Sequence, residues 1–302
     1  MADTDEANLT KSQVFCRRLC SCLFLYGILL VGLFGDNERM SLLAFGSIIL
    51  LLGVLALHEF YEMAGKCGYT PFENLGQAAS IILLGGSFWS LAVLKDISVA
   101  QNIEIAVLLV LVPLLGVAQL RVYTEGKTSI GSLASTVFGV VYVALLLNLL
   151  QKIRYFPGDV QSIEGNWWLI FFIVVSKMSD TGAYCTGQLI GKNKMIPRVS
   201  PGKTWEGFGG GIVFSVITAW LFHYFAGDHF TSMPLSHALI LGVLLGVGSV
   251  AGDLVESLMK REAGVKDSGQ FFPGVGGILD LLDSLLFNAP IMYIYLKYIL
   301  PS

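Results

Sequence analysis

Between Gly252 and Asp283 the 302-residue chain carries Asp253, Glu256, Lys260, Arg261, Lys266, Asp267, Asp280 and Asp283, set between two apolar segments. Ionisable groups at a membrane segment are costly and mark functional sites. On a helix Asp253, Glu256 and Ser257 fall within about one turn, Lys260 and Arg261 follow a turn later, and Asp280 and Asp283 share a face at the start of the next helix. Two acidic helix ends facing each other across a glycine-rich loop (Gly269, Gly274, Gly276, Gly277) suit an oxygen-ligated divalent cation. Magnesium is such an ion: it takes a few carboxylates and fills its remaining positions with substrate phosphates. Lys260, Arg261 and Lys266 would neutralise the phosphate charge left over. Interhelix salt bridging alone would need fewer carboxylates than the five present against these three cations.

Three other stretches carry polar chemistry. The loop from Gly191 to Gly207, GKNKMIPRVSPGKTWEG, holds Lys192, Lys194, Arg198, Ser200, Lys203 and Thr204 ahead of a helix beginning near Trp205. Gly202-Lys203-Thr204 looks like the tail of a P-loop, but Pro197 stands where its first glycine is required and no strand precedes it, so a Walker A reading fails. Lysine and hydroxyls at a helix start remain a plausible cradle for phosphate, beside the plainer reading of a basic membrane anchor. In KMSDTGAYCTG, Lys177, Asp180 and Tyr184 share one helical face, while Gly182 and Gly187 permit close approach of another helix or a ligand. His58-Glu59-Phe60-Tyr61-Glu62 closes an apolar run; His58 and Glu62 are helical neighbours, and an ordinary polar helix end explains them as well.

The elements that must position these residues are membrane helices. The chain is 54% hydrophobic and 14% charged, with a mean hydropathy of +0.70. Apolar runs long enough to span a bilayer recur throughout, which makes the fold all-α and polytopic. We expect about nine spans, near 19–35, 40–57, 76–94, 103–120, 130–150, 167–190, 207–226, 235–257 and 279–299. Residues 1–165 would form an N-terminal set of about five helices, and 166–302 a catalytic set of about four with the charged loops. With the N-terminus cytoplasmic, thirteen Lys and Arg lie on the inner side against five outside, the bias that orients membrane proteins. All the charged loops then face the cytoplasm.

A net charge of −3 argues against nucleic acid as a partner. The five cysteines show no zinc spacing, and Cys16, Cys20 and Cys22 stand at the entry to the first span, read as uncleaved. His223, His229 and His237 fall on the side away from the charged loops, and no Ser/His/Asp order is present, so zinc and triad chemistry are not expected.

The run Ser257-x-Met259-Lys260-Arg261-x4-Lys266-Asp267-x-Gly269-x2-Phe272-Pro273-x-Val275-Gly276-Gly277-Ile278-x-Asp280-Leu281-Leu282-Asp283 resembles the signature of the phosphatidate cytidylyltransferase (CDP-diacylglycerol synthase) family. SPGKTWEG at Ser200–Gly207, SDTGAYCTGQLIGK at Ser179–Lys192 and EFYEM after His58 resemble other segments of it. The chain departs from the pattern at Val275, where the family has His, and at Leu281, where it has Arg; many members also have Lys at Gly202. The resemblance implies reaction of CTP with phosphatidate to give CDP-diacylglycerol and pyrophosphate at the cytoplasmic face of a bacterial inner membrane. Within it, magnesium would bind Asp253 and Asp280 with Asp283 and Asp180 in support, a monovalent cation such as K+ being an optional companion. Lys203, Lys260, Arg261 and Lys266 would meet phosphates, Asp267 would complete the catalytic set, and Ser200 and Thr204 would join Lys203 in holding the nucleotide. A homodimer is in keeping with the family. Competing readings are a CTP-dependent lipid kinase, which would release CDP, a transporter, and a catalytically silent scaffold.

Overall fold

Long apolar runs become the helices of this chain. The computed structural model describes residues 27, 29–35, 37–122, 129–156, 162–230, 232–269 and 276–300. Helix α1 runs Glu38–Lys66, α2 Glu73–Trp89, α3 Ile97–Val122, α4 Ser129–Gly139, α5 Leu146–Arg154, α6 Ser162–Ile190, α7 Trp205–Ala226, α8 Leu235–Glu262 and α9 Ile278–Tyr298. A π-helical turn, Ser90–Leu94, prolongs α2, and another, Val140–Leu145, joins α4 to α5 into one rod. Asn37 caps α1 by accepting from Arg39 N and Met40 N, and Gly264, at φ +68°, ends α8 where a side chain would be strained.

Among the described residues seven helices are long and apolar enough to cross a bilayer: Arg39–Lys66, Glu73–Leu94, Ile97–Val122, Ile130–Arg154, Trp205–Phe230, Leu235–Glu262 and Ile278–Tyr298. The protein is thus an all-α polytopic membrane protein. The expected sixth span coincides with α6, 29 residues long, in which Lys177 and Asp180 lower the apolarity; it is not among those seven. The expected first span, 19–35, falls largely outside the described residues, as do Cys16, Cys20 and Cys22. The expected division at 165 lies within the first turn of α6. Lys152 and Arg154, expected in an outer loop, are instead buried at the end of α5. There Lys152 pairs with Glu104 at 2.6 Å, and Arg154 donates to Asn166 and the Gly32 carbonyl.

One departure from the all-helical plan is small. The loop before α7 folds back as an antiparallel hairpin, β1 (Lys194–Ile196) against β2 (Ser200–Thr204). Thr204 then caps α7, its hydroxyl accepting from Gly207 N at 3.1 Å, as Thr at an N-cap does.

Glycines draw α6, α7, α8 and α9 together. A Cβ on Gly207 would stand 2.8 Å from the Ala183 carbonyl of α6, and one on Gly252 would stand 2.7 Å from the Asp283 carbonyl of α9. Small residues thus let these backbones touch, as expected of Gly182, which meets Phe214, and of Gly187, which meets Thr204. Asn288 of α9 fastens three helices, donating toward Ser176 of α6 and toward Leu245 and Ser249 of α8.

Candidate functional site

The close contact at Gly252 sets the geometry of the site, because the residue after it is Asp253. One ligand oxygen each from Asp253, Glu256 and Asp283 lies within 4.8 Å of the others. Asp253 and Glu256 come from the last turns of α8 and Asp283 from the second turn of α9. Glu256 is 1% exposed. One of its oxygens takes Lys260 Nζ at 2.8 Å, while the other, Oε1, is buried with no hydrogen-bond partner. A buried carboxylate oxygen left without a donor is costly. Three hard oxygen donors at this spacing fit a divalent cation.

Lysines from three elements surround the cluster. Lys203 of the hairpin reaches Asp253 Oδ2 at 2.6 Å. Lys177 of α6 lies 3.4 Å from Asp180 Oδ2 and 3.7 Å from Asp283 Oδ1, and it donates to Ser284 Oγ at 2.9 Å. Lys260 bridges Glu256 and Asp280, the latter at 2.6 Å. Across this network five carboxylates meet three ammonium groups.

A cavity of about 470 Å3 opens beside Asp253. Its lining includes Asp180 and Tyr184 from α6, Ser200, Lys203 and Thr204 from the hairpin, and Phe208 from α7. The volume falls in the range of roughly 300–1,000 Å3 that holds small ligands. The expected nucleotide-holding residues Ser200, Lys203 and Thr204 therefore line one cavity together with Asp180 and Asp253. The hairpin is held by Glu206, which accepts from Lys192 N at 3.1 Å, and by Arg261, whose Nε donates to the Val199 carbonyl.

Several expected residues take other places. Asp280 is a neighbour of Glu256 rather than one of the three clustered carboxylates, sharing the Lys260 ammonium with it while its Oδ2 accepts from Ser268 N, Ser268 Oγ and Gly277 N. Arg261, Lys266 and Asp267 are exposed, and none is among the described residues lining the cavity. His58 pairs with Glu73 and Glu62 at a half-exposed helix end, and His237 bonds Tyr295. Val275 lies outside the described residues.

Glu59 was not legible as a site residue. It is 6% exposed and accepts from Ile278 N at 2.9 Å, Leu279 N at 2.8 Å and Ser268 Oγ at 3.0 Å. A carboxylate thus caps α9 from a different helix, where the helix dipole favours negative charge. The available signal was its helical register with buried Leu52, Ala56 and Met63. Ser268 and Ser284 were also missed, since a serine's role depends on what faces it.

The described residues thus form a polytopic helical bundle that holds an acidic cluster, three lysines and an adjoining cavity. The chain matches the cytidylyltransferase family over residues 16–299 and belongs to that family. It is 30% identical over 271 residues to the phosphatidate cytidylyltransferase of Chlamydia pneumoniae, covering 89% of this chain and 87% of that one. With the phosphatidate cytidylyltransferase of Chlamydia muridarum it shares 29% over 301 residues, or 97% and 96% of the two chains. It is also 37% identical over 164 residues to the uncharacterized protein YnbB of Escherichia coli (strain K12), a match spanning about half of each, 54% of this chain and 51% of YnbB.

Proposed function

We propose that the protein is a phosphatidate cytidylyltransferase, joining CTP to phosphatidate to give CDP-diacylglycerol and pyrophosphate. The observation that carries this reading is the meeting of Lys203 and Asp253 on the wall of one cavity, beside three clustered carboxylates, in a chain of the cytidylyltransferase family. An oxygen of the lipid phosphate forms a bond to the α-phosphorus of CTP. The bond from that phosphorus to the bridging oxygen breaks, and the electron pair departs with pyrophosphate. Such a transfer needs alignment and neutralised charge more than covalent help.

Lys203 binds the triphosphate, and the Ser200 and Thr204 hydroxyls donate to its oxygens at the start of α7, where backbone amides favour an anion. Lys260 holds Glu256 and Asp280 in register, and Arg261 positions the hairpin through Val199. Lys266 is exposed on the segment after α8, able to meet an arriving phosphate, with Asp267 beside it. Asp253, Glu256 and Asp283 would hold magnesium, with Asp180 and Asp280 in the next layer and K+ as an optional companion. Magnesium, when bound, supplies positive charge to the phosphate oxygens. The basic-residue bias supports a cytoplasmic N-terminus and a site on the cytoplasmic face of the bacterial inner membrane. Residues 166–302 carry the chemistry, residues 1–165 support it, and pairing into a homodimer follows the family resemblance.

The test is pyrophosphate release by the purified protein with CTP, phosphatidate and magnesium, with and without chelator, and with the lipid product analysed. Release that needs both lipid and metal, with CDP-diacylglycerol formed, supports the reading. Release of CDP in place of pyrophosphate, or release without lipid, overturns it.

A further inference from the structure

Leu281 stands where the family signature has Arg, which removes a cation from the first turn of α9. The structure places Leu281 and Lys177 on the wall of the same small cavity, about 50 Å3, between α1, α6 and α9. Its other walls are apolar, including Phe45, Ile49, Ile173 and Leu285. Positions 281 and 284 are neighbours on one helical face, and Lys177 Nζ lies 2.9 Å from Ser284 Oγ. The ammonium from α6 therefore reaches the surface of α9 that a side chain at 281 covers. From there it also lies 3.7 Å from Asp283, a member of the acidic cluster.

We propose that Lys177 supplies from α6 the cation that the family signature places at 281, and that it positions the phosphate of the lipid substrate. This rests on the cytidylyltransferase reading. Three observations converge on it. Lys177 is one of three lysines that face five carboxylates, so the local charge balance includes it. Of the three it is the one placed on the wall of this small apolar cavity among the bundle helices. Its partners Asp180, Asp283 and Ser284 hold the ammonium at the boundary between that apolar cavity and the acidic cluster. Lys203, by contrast, belongs to the larger cavity assigned to the nucleotide.

The experiment compares wild type, K177M, and K177M/L281R in phospholipid nanodiscs, varying phosphatidate and CTP independently and checking each fold by thermal unfolding. K177M is expected to raise the KM for phosphatidate about tenfold or more, as loss of a charged hydrogen bond does, and to leave the KM for CTP within about twofold. Adding L281R is expected to restore the lipid KM to within about threefold of wild type, which a merely structural lysine would not produce. An unchanged lipid KM in K177M, an equal rise in both KM values, or a folded double variant without rescue overturns the proposal. If K177M fails to fold, the double variant decides alone: folded and active supports the relocated cation, whereas misfolded shows a structural ion pair only and overturns it. Wild type without lipid-dependent turnover would overturn the cytidylyltransferase reading instead, a separate outcome.

Discussion

Lys203 Nζ sits 2.6 Å from Asp253 Oδ2, joining a hairpin after α6 to the last turns of α8. The pair is partly buried, the two side chains being 19% and 36% exposed, and it borders the cavity proposed for CTP. An ion pair beside a phosphate site holds both charges ready: the lysine for the triphosphate, the aspartate for a cation.

Replacing Lys203 by Ala should lower kcat/KM by about 100–1,000-fold, the usual loss when one preorganised charge aimed at a reacting group is removed. The unfolding temperature should fall by an amount corresponding to about 1–3 kcal/mol, because the partly buried Asp253 loses a charged hydrogen bond. Steady-state pyrophosphate release checks the first expectation and a melting curve the second.

Glu256→Gln should raise the magnesium concentration needed for half-maximal turnover about tenfold or more, since metal sites lose affinity on that scale when their donors are disturbed. The amide also gives the orphaned oxygen position a donor. The variant should therefore unfold no earlier than wild type, and an unchanged magnesium titration would remove Glu256 from the metal site.

Asp280→Asn separates the two placements of Asp280. If it chiefly caps α9 and engages Lys260, the melting temperature should fall by an amount corresponding to about 1–2 kcal/mol, the range for a lost cap. The magnesium dependence should then stay close to that of wild type. A large shift in magnesium dependence with an unchanged melting temperature would restore Asp280 as a metal ligand.

Thr204→Val removes the cap of α7 while keeping its shape. A loss of about 1 kcal/mol is expected, together with a higher KM for CTP and an unchanged KM for phosphatidate. Varying the two substrates separately provides the check.

Much of this molecule was legible because membrane segments write themselves in long apolar runs, and because charges within such runs are few enough to notice. Asp180, Lys203, Asp253 and Asp283 stood out for that reason, and the structure brings them together around one cavity and one acidic cluster. The place of Glu256 beside Asp253 and Asp283 was beyond the sequence, because it depends on the close contact of α8 with α9 at Gly252. The hairpin was read as a loop, since strands of three and five residues carry too short a pattern to show alternation. Glu59 was missed because its partners lie more than two hundred positions away.

That last separation bears on how the protein is made. Ribosomes add about 5–20 residues per second, so Glu59 enters the bilayer roughly 10–40 s before the amides of Ile278 and Leu279, 219 and 220 positions later, exist. During that interval Glu59, at the polar end of α1 between His58 and Glu62, lacks the backbone donors it later accepts from. Formation of α9 then supplies those amides, so the polar end of α1 and the start of α9 settle together.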